Sequence, residues 1–190
     1  MTLLIVGLVL FLGIHSVAIV SPAWRDAQVA LRGEKTWKGI YTVVSIIGLV
    51  LLLYGYGLAR QAPVELYSPP LWMRHVTALL MLPVFPLLIA AYAPGRIQAA
   101  TKHPMLVATK LWAFSHLLAN GTLADVLLFG GFLAWAVAER ISMKKRAARP
   151  IPGAPPSPAN DVIAVVVGLA VYALFVFRAH VWLTGVSPLG

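Results

Sequence analysis

The chain has no cysteine among its 190 residues. That absence excludes disulfides, thiolate nucleophiles, iron–sulfur clusters and Cys-ligated zinc, and without Cys-x-x-Cys-His there is no covalent c-type haem attachment. Acid is scarce as well: six Asp and Glu stand against fifteen Lys and Arg, a formal charge of +9. So few carboxylates leave little for the His–carboxylate sites that zinc and mononuclear iron favour. Charged residues make up 11% of the chain and hydrophobic ones 60%, against about 25% and 45–50% in soluble domains. A separate soluble domain has no sequence left to form it.

What is present is long apolar runs. Thr2–Val20, Ile40–Ala59, Leu71–Ala93, Pro104–Leu118, Thr122–Ala138 and Val162–Leu183 are nearly free of charge. A spanning helix needs roughly 20 apolar residues, and backbone facing lipid must be helical or in a closed barrel. Period-2 alternation is absent, so the expected fold is all-α: a polytopic membrane protein with six transmembrane helices in one bundle, a single domain over 1–190. The first run lacks a basic start and a small-x-small cleavage site before Pro22, so it reads as a span and not a signal peptide. The lipid bilayer is the expected partner. The basic balance, which in a soluble chain would point to nucleic acid, is here accounted for by loops, and no nucleic-acid partner is expected.

Charge also orients the spans. With the N-terminus outside, cytoplasmic loops carry Arg25, Arg32, Lys35 and Lys38, then Arg96, Lys102 and Lys110, then Arg140, Lys144, Lys145, Arg146 and Arg149. Only Arg60, Arg74 and Arg178 fall on the other side. Six spans with both termini outside follow from that asymmetry. Residues 142–160, rich in proline between Pro150 and Pro158, read as a mobile cytoplasmic linker, with Asn160 as a cap for the last helix. Pro83 and Pro86 each remove a backbone donor and predict a kink in the third span. His103-Pro104 marks the start of the fourth span and Asn120-Gly121 its end.

Five histidines remain to be explained: His15, His75, His103, His116 and His180. Four lie within or at the edge of apolar runs, where a polar group usually faces a partner or a cavity. Each alone is satisfied by a carbonyl on a neighbouring helix, worth on the order of 1 kcal/mol. Together, with acids so few, they point to something bound. Imidazole ligates haem iron, copper and zinc, and an apolar helical bundle suits the haem macrocycle best. By depth alone His116, roughly 18 Å from the cytoplasmic side at 1.5 Å per residue, pairs with His75 or His180. His15 lies shallower, about 9 Å from that side. His103 reads as structural, at a span boundary.

Lys102-His103-Pro104-Met105-Leu106 and the run from Leu111 through Trp112, His116 and Asn120 to Gly121 resemble the signature of the NnrU family. So do Gly13-Ile14-His15-Ser16, Leu128 to Ala136, and Tyr172 to His180. The resemblance covers almost the whole chain. It implies a bacterial inner-membrane (cytoplasmic membrane) multi-pass protein that supports denitrification, in the production of nitrite and nitric oxide reductases, with the denitrification machinery as partner. The family also includes the 15-cis-zeta-carotene isomerases, enzymes that bind b-type haem and take an apolar small molecule as substrate. Their two iron ligands correspond here to His15 and His116, which the resemblance marks as ligands for haem b, with His75 and His180 as alternates. The isomerases carry a cysteine near the second ligand; this chain has none, so a switch of the iron to thiolate is closed to it. The remaining alternative to an isomerase-like enzyme is a transporter or assembly factor without catalytic activity.

Overall fold

The computed structural model describes residues 1–146 and 153–190. They are helical almost throughout. The elements are α1 (Thr2–Val20), α2 (Pro22–Arg32), α3 (Glu34–Ala59), α4 (Met73–Met81), α5 (Val84–Ala90), α6 (Arg96–Thr101), α7 (Pro104–Ala119), α8 (Leu123–Ser142) and α9 (Ala159–Leu174). A π-helical turn, Phe175–Ala179, and the short α10 (His180–Thr184) prolong α9. Among the described residues the β-type pairing is confined to an isolated antiparallel bridge between Glu65 and Thr122.

Among the described residues four helical stretches are long and apolar enough to cross a membrane: Thr2–Val20, Glu34–Ala59, Met73–Ala90 and Ala159–Thr184. They overlie the first, second, third and sixth runs of the sequence. The fourth and fifth runs are helices too. However, α7 has 16 residues, and α8 carries Asp125, Glu139 and Arg140, so neither reaches that measure of length and apolarity.

The described residues form two compact units, one of residues 1–66 with 122–146 and one of 67–121 with 153–190. In the first, α1 and α3 are antiparallel neighbours whose backbones nearly touch. A Cβ on Gly7 would strike the backbone of Leu52, one on Gly55 would strike that of Leu4, and one on Gly48 would lie 2.7 Å from the Phe11 nitrogen. Small residues allow this approach where lipid supplies no hydrophobic drive between helices. The pairs 4/55, 7/52 and 11/48 fix the register. Leu4, Leu8 and Leu52 are buried along this seam. The helix α8 adds Phe132 beside Phe11, ring centroids 5.7 Å apart, and Phe129 beside Tyr56 at 6.3 Å.

The N-terminus of α8 is fixed by a capping box. The Thr122 hydroxyl accepts from the Asp125 N–H, and the Asp125 carboxyl accepts from the Thr122 N–H at 2.9 Å. The other Asp125 oxygen accepts from the Tyr56 hydroxyl at 2.6 Å, which ties α8 to α3. The helix α2 is amphipathic, and it turns Arg25, Gln28 and Val29 toward the chain while Trp24, Ala27 and Leu31 are exposed.

The second unit is built on breaks. The helix expected over 71–93 stops at Met81 and restarts at Val84, as Pro83 and Pro86 dictate. Leu82 N–H turns back to Leu79 O at 3.2 Å, and the Tyr172 hydroxyl of α9 donates to Ala78 O at 2.8 Å. A carbonyl left over by the break thus gains a partner from the next helix. At Gly168 of α9 a Cβ would collide with the backbone of Pro86, so the glycine admits the proline kink. Val84, Leu87 and Ala108 form the core, with Leu111 and Trp112 packed against it.

The helix α7 begins with His103 as N-cap and Pro104 in the first turn, as its sequence predicts. Asn160 differs from expectation. It lies inside α9, not ahead of it, and its side-chain amide donates to Pro94 O at 2.8 Å and Pro155 O at 2.9 Å. Asp161 beside it accepts from the N–H groups of Arg96 and Ile97, both at 2.9 Å. Residues 153–160 of the linker are therefore pinned to the start of α6: Ala154 N–H also donates to Tyr92 O and Ser157 N–H to Pro94 O. At the other end of the expected linker, Ser142 closes α8 and 143–146 form a turn, while 147–152, with Arg149 and Pro150, lie outside the described residues.

Candidate functional site

His15 occupies the end of the glycine seam. The register that pairs 11 with 48 brings position 15 level with 44, one turn from Tyr41. The His15 ring stacks on Phe11 at 4.2 Å, meets Tyr41 at 5.0 Å and meets Trp135 of α8 edge-on at 5.9 Å. Its Nδ1 lies 2.6 Å from Phe11 O, one turn back. A carbonyl can only accept, so Nδ1 carries the proton, and in the neutral ring the lone pair falls on Nε2.

One turn beyond Trp135 on α8 stands Glu139, 9% exposed. One of its oxygens pairs with Arg146, and its charge reaches the His15 ring. The sequence shows Glu139 and Arg140 merely as charges at a cytoplasmic helix end. Burial of the first marks it as part of this group. The spacing 135/139 on one helix face is the signal that was present, but nothing in the sequence says that this face meets His15.

In the second unit, His116 repeats the arrangement. Its Nδ1 lies 2.8 Å from Trp112 O, again one turn back, and its ring meets that of Trp112 at 5.6 Å. The end of α7 around it is closely tied. Asn120 Nδ2 donates to His116 O at 2.8 Å, the Tyr67 hydroxyl donates to Leu117 O and Asn120 O, and the Thr77 hydroxyl of α4 donates to Ser115 O at 2.7 Å. Gly121 is required here, because a Cβ would collide with Tyr67 O. His180 also places Nδ1 against a carbonyl, Val186 O at 2.8 Å, with the Thr184 hydroxyl at 3.1 Å. His75 is exposed on α4. His103 accepts at its carbonyl from Leu106 and Val107 N–H, the work of a helix start.

Among the described residues no three His, Asp or Glu side chains converge into a cage for a metal ion. Axial ligation of a haem iron asks for less, one imidazole on a face, with the tautomer fixed by a bond to the other nitrogen. His15 and His116 have that form, and His180 shares it.

A family model described as NnrU protein matches residues 3–188. The chain belongs to the NnrU family. The match takes in both units and every histidine discussed above. No curated protein and no solved structure matches this NnrU chain.

Proposed function

We propose that this NnrU-family protein binds b-type haem, with His116 and His15 as iron ligands, and that it supports denitrification from the bacterial inner membrane. The observation that carries the reading is the shared form of the two imidazoles. Each is held through Nδ1 by the carbonyl one turn back, which fixes the tautomer that a ligating imidazole needs. His180 and His75 are the alternates, His180 with the better case because its Nδ1 is engaged too. Haem held by two imidazoles would supply one-electron redox chemistry. The protein's own residues supply orientation: Phe11 and Tyr41 wall the His15 ring, and Trp112 that of His116.

In this reading six helices cross the membrane with both termini outside, since that orientation puts twelve of the fifteen cations in cytoplasmic loops. Single cysteines placed at Arg32, Tyr67 and Ser187 of this cysteine-free chain test it. Impermeant thiol reagents added to intact cells should label the second and third and spare the first.

For the haem, the deciding measurement is an absorption spectrum of the membrane-extracted protein, oxidised and reduced. A Soret band that is lost in His116→Ala and in His15→Ala is expected. Colourless protein from haem-replete cells, or a band indifferent to both changes, overturns the reading. For the physiological role, deletion in a denitrifying host should lower nitrite and nitric oxide reductase activities. Unchanged activities would remove it.

A further inference from the structure

The helix α2 is inside out for a helix in water. At about 100° per residue, Ala23, Trp24, Ala27, Ala30 and Leu31 fall within roughly a third of its circumference, and all five are exposed. Trp24 keeps 50% of its surface open and Leu31 78%. The side turned to the protein carries Arg25, Gln28 and Val29 instead. A surface helix of a soluble protein buries its apolar stripe and shows its polar one. This helix does the reverse, which marks the exposed face for an apolar surrounding.

Its place in the chain says what that surrounding is. Ser21 alone separates α2 from α1, and Gly33 alone separates it from α3. Both neighbours are long and apolar enough to span a bilayer, so α2 is tethered at both ends to the level where they leave it. Trp24 also packs edge-on against Trp37 in the first turn of α3, ring centroids 5.9 Å apart, which holds α2 at that level. Val20, the last residue of α1 and 80% exposed, carries apolar surface up to it. Eleven residues with two arginines are too short and too polar to cross. A helix with one apolar and one charged face settles in the headgroup region instead.

The charges choose among lipids. Between Pro22 and Lys38 stand four cations, Arg25, Arg32, Lys35 and Lys38, and two acids, Asp26 and Glu34. Each acid already has a cation: Asp26 pairs with Arg25 at 3.0 Å and Glu34 with Lys38 at 2.7 Å. The excess charge is that of Arg32 and Lys35, both exposed, on either side of Gly33. Arg32 Nε donates to Gln28 Oε1 at 2.8 Å, which holds the guanidinium at the border of the apolar face. A cation in that position suits the phosphate of an anionic lipid.

We propose that α2 is an interfacial anchor: its Trp24–Ala27–Leu31 face lies in the headgroup–acyl boundary, and Arg32 and Lys35 take anionic lipid headgroups. The assignment needs only the two spans that flank α2. It is independent of haem and of which side of the membrane α2 occupies.

The cysteine-free chain allows a direct test. Single cysteines from Ala23 to Arg32 of the full-length protein are given a nitroxide label. The protein is reconstituted in vesicles of phosphatidylcholine, or of phosphatidylcholine and phosphatidylglycerol in equal parts. Collision of each label with oxygen and with a water-soluble nickel chelate is then measured. Oxygen contact should peak at Trp24→Cys, Ala27→Cys and Leu31→Cys, with these labels about 5–10 Å into the boundary, while the chelate reaches Asp26→Cys. In the anionic vesicles the label of Leu31→Cys should sit deeper, and Arg32→Gln with Lys35→Gln should erase that difference. Thermal unfolding of each variant is followed in parallel; Ala27 and Leu31 are both exposed, and if one variant loses the fold the other decides. A chelate that reaches Ala27→Cys and Leu31→Cys as freely as Asp26→Cys overturns the proposal and means that a partner other than lipid covers the face. Equal depth of Leu31→Cys in the two kinds of vesicle overturns the headgroup contact.

Discussion

In the first unit α1 and α3 run unbroken for 19 and 26 residues and meet through glycines. In the second, no helix before α9 exceeds 16 residues, and the kinked pair α4–α5 is interrupted by proline. The two therefore solve the membrane's polar problem differently. Unbroken helices satisfy their own carbonyls, so the α1–α3 pair needs only close backbone approach, with the Tyr56–Asp125 bond adding α8. Broken helices release carbonyls, so the second relies on hydroxyls and amides from Tyr172, Tyr67, Thr77 and Asn120 to claim backbone oxygens. The first unit should be sensitive to added bulk on its seam, and the second to the loss of single polar atoms as well.

The sharpest break of that contrast is Gly55→Leu. Its side chain meets the backbone of Leu4, which has no rotamer to yield. Destabilisation at or above the top of the ~1–3 kcal/mol range for overpacked cores is expected, read as loss of folded protein in detergent. The neighbouring Gly57→Ala, where a Cβ meets nothing within 4 Å, should fold normally. Gly168→Leu against Pro86 should come next, with part of the strain taken up by the helix break. A variant as stable as wild type would show that the kink shifts freely.

Removal of single polar atoms should cost less. Tyr56→Phe deletes a 2.6 Å bond to the buried carboxyl of Asp125. About 1.5–3 kcal/mol is expected by thermal or denaturant unfolding, the range for bonds to charged groups. Tyr172→Phe deletes a bond to a neutral carbonyl, Ala78 O, and should cost about 1 kcal/mol. If Tyr172→Phe proves the more damaging, the second unit depends on its repairs more than the first does on its cap. Lys38→Ala, which removes an exposed pair with Glu34 at 2.7 Å, should leave the unfolding midpoint unchanged.

Most of the helical plan was legible in the sequence, because apolar length and helix breakers are local properties. The runs at Thr2–Val20 and Ile40–Ala59, the break at Pro83 and the start at His103-Pro104 all appear where their residues place them. Helix pairing was not legible. Gly7, Gly48 and Gly55 look like ordinary glycines of apolar helices until the partner backbone is seen against them. The candidate site was visible only as isolated histidines. Trp135 and Glu139 lie 120 or more positions from His15 in the chain, and no local pattern joins them. Asn160 looked like a cap because Asn favours that place; instead the carbonyls of Pro94 and Pro155 drew its amide into a loop clamp.

The glycine contacts between α1 and α3 also act as a ruler. Once 4 lies on 55 and 7 on 52, the azimuth of every later residue of α1 is set, that of His15 included. One residue inserted between Gly7 and Phe11 would turn the imidazole by about 100° and swing it away from the indole and the phenol it now touches. The aim of His15 is thus dictated two turns upstream, by residues that carry no side chain at all.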